Sequence, residues 1–153
     1  MGSVLFRDER GDLTFGATKR FYTTKPILAE ALALREAVLT ASNMQIGKII
    51  FESDNLQLVE ACLRRKTVGV IQNIVEDILT WKRNFPNWGF TWTGRSGNQS
   101  AHALARLALH NSLPPSWFWK PPDDLRAALS LDKQRSQVYR VRGRAVQDGR
   151  RRA

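Results

Sequence analysis

The chain has 153 residues, 42% of them hydrophobic, and a formal net charge of +10; by length and apolar content this is one domain with one core. The single cysteine, Cys62, excludes an internal disulfide and fits a reducing, intracellular setting, with nucleus and cytoplasm not distinguished. No apolar run approaches the roughly 20 residues a membrane helix needs, and no basic segment leads into an apolar run at the N-terminus, so neither a span nor a secretory signal is expected.

In chain order, Ser3 to Phe6 predicts a short apolar strand, Arg7 to Asp12 a turn, and Leu13 to Phe21 a second strand closing a hairpin. Pro26 suits the first residue of a helix. Ile27, Ala31, Leu34, Val38 and Ala41 then recur at helical spacing as its core face. Lys48 to Phe51 is a β-branched run that reads as a buried parallel strand. A second helix is expected from Asn55 to about Arg65, with Leu56, Val59 and Leu63 inward. Ile71, Ile74, Ile78 and Trp81 define a third, ended by Asn84-Phe85-Pro86-Asn87. Trp88 to Thr93 predicts a strand, and Asn98 to His110 the last helix of the body. Prolines at 114–115 and 121–122 break up the segment after that helix.

This order predicts an α/β domain with helices packed on a mixed sheet. Residues 1–132 are expected to form that domain and 133–153 a basic, disordered tail. The tail holds eight Lys and Arg against Asp148, a net of +7, which leaves only +3 for the first 132 residues. Such a tail can grip phosphates by counterion release, serve as a nuclear import signal, or simply be solvated.

Two acids carry the chemistry. Glu30 borders the apolar face of the first helix, whereas Glu36 falls on the far side and should be solvated. Asp54 stands where the Lys48–Phe51 strand runs out, and sites in α/β sheets gather at the carboxyl ends of parallel strands. Mg²⁺ takes oxygen ligands, usually one or two carboxylates with substrate phosphate, so the pair is a sensible metal site. Both acids also have structural readings. Glu30 lies near a helix start, where negative charge is favoured, and Asp54 with Gln57 fits a capping box.

Several stretches together resemble the plant ribonuclease H-like domain family, the single-domain relatives of type 1 ribonuclease H. They are Val4 to Gly11, Ala29-Glu30-Ala31-Leu32-Ala33-Leu34, Glu52-Ser53-Asp54, Arg95 to Ala105, and Trp117-Phe118 with Pro121-Pro122. The resemblance covers about residues 3–132. It implies a ribonuclease H-like mixed sheet and an RNA–DNA hybrid endonuclease that uses two Mg²⁺ ions, or Mn²⁺, and four acids in a two-metal clamp. Carried over, Glu30 is the second acid and Asp54 the third, Asn98 contacts substrate, and His102 stands where the fourth acid usually lies. Arg95, Arg64, Arg65 and Lys66 are the candidate nucleic-acid contacts in the body.

The family's first acid lies on a central strand that ends where Met1-Gly2-Ser3 begins. The chain therefore reads as a truncated or degraded member, with two strand edges exposed unless the alternating run Gln137 to Arg142 fills the gap. Losing one acid of such a site commonly costs ~10²–10³ in rate, so weak or absent cleavage is expected. The partner expected is RNA–DNA hybrid or RNA, and the chain is expected to be a monomer. The alternatives are a non-catalytic nucleic-acid binder and a protein-interaction module built on Trp117-Phe118-Trp119, aromatics that otherwise cover the core.

Overall fold

The computed structural model describes residues 1–114 and 117–134. It contains β1 (Gly2–Arg7), β2 (Leu13–Lys19), α1 (Pro26–Asn43), β3 (Lys48–Ser53), α2 (Leu56–Cys62), α3 (Gln72–Trp81), β4 (Asn87–Trp92), α4 (Gln99–Leu109) and a fifth helix, α5, over 123–134. The chain divides into two compact units. One is Met1–Val4 with Ala17–Arg95; the other is Leu5–Gly16 with the described residues from Ser96 onward.

Among the described residues the strands form two separate two-stranded sheets, β1 with β2 and β3 with β4. In the first unit β3 and β4 run parallel, in a register that sets Phe51 beside Phe90 and Ser53 beside Trp92. Their core face holds Phe51 stacked on Phe90 at 5.4 Å and edge-on to Phe85 at 5.7 Å. The expectation of a fully buried β3 is corrected. Lys48 and Glu52 are exposed and Ile50 is 64% exposed, because the strand alternates and only one face meets the core.

α1 packs on β3 and α3. It buries Ala31, Leu34, Val38 and Ala41 of the expected stripe together with Ala37, while Ile27 is only partly buried. Glu36 is not simply solvated: its carboxylate takes a 2.6 Å ion pair from Lys19 on β2. In α2 the buried stripe is Leu58, Val59, Ala61 and Cys62, while Leu56 is half exposed. Seven residues span too few turns for spacing to fix the phase. α3 buries Val75, Ile78 and Leu79 and leaves Trp81, its last residue, 39% exposed.

The second unit is built on α4 and α5. Ala103 and Leu104 of α4 and Leu125 and Ala128 of α5 form its core, flanked by Leu5, Leu107, Leu113, Trp117 and Leu129. The β1–β2 turn is tied by Asp8, whose carboxylate accepts from the backbone N–H groups of Arg10 and Asp12 at 2.9 Å each. Gly11 closes that turn at φ +84°, a backbone most side chains avoid. Gly16 lets Trp117 approach so closely that a Cβ there would stand 2.5 Å from its ring. Trp117 thus covers core, as one reading of the aromatic run holds, but Trp119 is 86% exposed.

The sequence showed no helix after His110, yet α5 exists. Pro122, the acids Asp123 and Asp124, and the apolar triplet Leu125, Ala128 and Leu129 encode it. It runs to residue 134, so Lys133, which composition places in the tail, is helical and pairs with Asp12 at 2.6 Å. The tail from 135 and the run Gln137 to Arg142 lie outside the described residues.

Candidate functional site

In the first unit the site is built on the carboxyl ends of β3 and β4. Parallel pairing brings both ends to one side, and the ladder continues past them through the Thr93 N–H bond to the Ser53 carbonyl at 3.0 Å. Asp54 follows β3 directly and Arg95 lies three residues past β4. The Arg95 Nε stands 3.9 Å from an Asp54 carboxylate oxygen. The two side chains contrast sharply in exposure: Asp54 is 7% exposed and Arg95 89%. The cation therefore lies in water and the anion is sheltered against it.

The capping-box reading of Asp54 is replaced by another residue. Asn55 caps α2, its side-chain oxygen accepting from the Leu58 N–H at 3.1 Å, while its own N–H donates to the Ser53 hydroxyl at 3.2 Å. Asn at this position satisfies an otherwise orphaned helix donor. The backbone carbonyl of Asp54 accepts from the indole N–H of Trp92, at 3.1 Å. Trp92 carried no signal in the sequence beyond its place in a strand.

Glu30 lies in the second turn of α1 and is half buried. Among the described residues no group of three or more His, Cys, Asp or Glu side chains could hold a metal ion. The expected metal pair, Glu30 and Asp54, belongs to this first unit. Two carboxylates fit one Mg²⁺ completed by substrate phosphate and water; a two-ion clamp asks for more.

Of the three basic candidates after α2, all are exposed, but Arg64 is already engaged. It sits at φ +59°, and its guanidinium grips Glu76 through two bonds of 2.6 and 3.0 Å. That grip, with a bond from Gln72, holds the Glu76 carboxyl below its usual range. Arg65 and Lys66 extend the same basic corner. A depression of about 590 Å³, lined by Phe21, Tyr22, Lys25, Leu28 and Val70 among others, includes none of the candidate residues.

The second unit carries Asn98 and His102 at the start of α4. Asn98 is the N-cap residue, yet its side chain makes no capping bond. The cap comes from α5: the buried Asp132 carboxylate accepts from the N–H groups of Gln99 at 3.1 Å and Ser100 at 2.9 Å, and from the Ser100 hydroxyl. Asn98 is thus not spent on holding its own helix. His102 is exposed, in the second turn of α4.

A family model described as reverse transcriptase-like matches residues 2–108. No curated protein and no solved structure matches the chain.

Proposed function

The chain belongs to the reverse transcriptase-like family of ribonuclease H-like domains, and from that premise we propose that it binds RNA–DNA hybrid or RNA, with hybrid cleavage weak or lost. The observation that carries the reading is the sheltered Asp54 carboxylate with the exposed Arg95 guanidinium 3.9 Å from it at the ends of β3 and β4. An exposed guanidinium beside a sheltered carboxylate suits a phosphodiester contact.

Glu30 and Asp54 are the residues that would hold a Mg²⁺ or Mn²⁺ ion, which when bound supplies positive charge to the scissile phosphate. The chain's own residues do the rest. In the first unit Arg95 takes a phosphate oxygen and Arg65 and Lys66 add further cations for the backbone; in the second unit Asn98, whose side chain makes no capping bond, offers an amide to nucleic acid. His102 can relay a proton but adds no negative charge. A histidine in place of a carboxylate holds a divalent ion more weakly, which supports binding over rapid cleavage.

The test is Mg²⁺-dependent cleavage of a labelled hybrid by the full chain beside Asp54→Asn, with binding followed over a range of salt. The proposal expects salt-sensitive binding by both proteins and slow or no cleavage. Cleavage at the rate of an intact hybrid nuclease contradicts the second half; salt-independent or absent binding contradicts the first. A second reading, a protein-interaction module, is favoured by one observation, the 86% exposure of Trp119. It predicts that Trp119→Ala leaves nucleic-acid binding unchanged.

A further inference from the structure

We propose that the ends of β3 and β4 form a stacking site for an unpaired nucleotide, in which Trp92 takes the base and Arg95 the adjoining phosphate. The inference rests on the nucleic-acid reading above and narrows it from nucleic acid in general to single strands, overhangs and junctions.

Trp92 is 51% exposed at the last position of β4, in a strand whose Phe90 is buried. An indole has one polar atom, and here that atom is already committed: the Nε1–H donates to the Asp54 carbonyl at 3.1 Å. The surface that Trp92 shows to water is therefore hydrocarbon and π face, on a ring anchored at one edge. A ring fixed in this way loses little conformational freedom on stacking, so more of the contact energy appears as affinity.

The neighbouring charge selects the ligand. Arg95 places a cation within reach of the same strand ends, its side chain 89% exposed. The Asp54 carboxylate, 7% exposed and facing Arg95, does not present the open negative charge that would repel a phosphate. An aromatic face next to a cation complements an aromatic base next to an anion, which is a nucleotide.

Pairing state is decided by stacking geometry. Inside a continuous duplex both faces of every base are covered by its neighbours, so an exposed indole gains little there. An unpaired or terminal base has a face to give.

The experiment uses the full chain and two labelled probes, an oligoadenylate and a blunt-ended RNA–DNA hybrid, with anisotropy as the readout. Trp92→Ala is expected to weaken oligoadenylate binding about tenfold, the effect of losing one base–aromatic stack, and to leave hybrid binding within about twofold. Trp92→Phe, which keeps a ring, retains most of the oligoadenylate affinity and loses part of the tryptophan quenching that the strand produces in the parent. This second variant decides the matter should Trp92→Ala unfold. Equal oligoadenylate affinity for parent and Trp92→Ala, or quenching unchanged in Trp92→Phe, overturns the stacking site while the nucleic-acid reading stands. A parent chain that binds neither probe overturns both.

Discussion

Asp132 is the most exacting place to perturb this chain. Its carboxylate is 1% exposed and accepts two backbone N–H groups and one hydroxyl at the start of α4. Replacing Asp132 with Ala leaves the Ser100 N–H and hydroxyl buried without acceptors, at about 1–3 kcal/mol for each such group. The Gln99 N–H is only partly buried and recovers some loss through water. Since the three donors share one acceptor the terms do not add fully, and the expected destabilisation is about 3–4 kcal/mol. Asp132→Asn keeps one accepting oxygen but turns an amide toward donors and loses the negative charge at a helix N-terminus, about 1–2 kcal/mol in total. Urea unfolding followed by circular dichroism measures both, and hydrogen exchange at the Ser100 amide locates the effect. If Asp132→Ala costs under about 1 kcal/mol, or the Ser100 amide keeps its protection, the cap is not what orders α4.

Three further outcomes are expected. Burial pushes the Cys62 thiol up to about 12, with Lys82 only partly opposing it; at pH 8 roughly one thiol in 10⁴ is ionised, so alkylation should proceed only on unfolding, and rapid labelling of native protein contradicts this. Glu76→Gln releases the Arg64 guanidinium and should steepen the salt dependence of nucleic-acid binding by up to about 0.9 in log–log slope. In the parent chain the Arg64–Glu76 pair is intact above the ordinary carboxylate value of 4.5 and is lost as pH falls through the lowered Glu76 value, so an unchanged slope at neutral pH would show that Arg64 takes no part. Leu104→Ala, at a fully buried position of α4, should cost about 2–5 kcal/mol by thermal or urea unfolding, and a loss under about 1 kcal/mol would mean the Leu104–Leu125 core is not packed as described.

Element order was legible because it depends on local periodicity and punctuation. Pro26 set the start of α1, Phe85-Pro86 closed the third helical stretch, and the β-branched Lys48–Phe51 run marked β3. Phase was harder. In α2 a seven-residue helix let Leu56 look inward when Leu58 is the buried residue, and Asp54 looked like a cap when its neighbour Asn55 does that work. These are shifts of one or two residues that only packing decides. Asp132 as the cap of α4 was beyond reach, since it comes from a helix 32 residues away that the prolines before it obscured. The proposed acids Glu30 and Asp54 rest on strand-end and helix-face logic together with resemblance. The role of Trp92 depends on a contact to the Asp54 carbonyl that no spacing rule encodes.

Nucleic-acid binding by this ribonuclease H-like domain, with a grip that includes the end of β3, stands or falls on salt dependence. The decisive experiment measures RNA–DNA hybrid binding by the full chain and by Arg95→Ala over a range of salt, with Mg²⁺ present and absent. Log affinity should fall linearly with log salt, with a slope shallower by about 0.7–0.9 in the variant and little change on removing Mg²⁺. A parent chain that binds hybrid without salt dependence, or a variant with an identical slope and affinity, would contradict that grip.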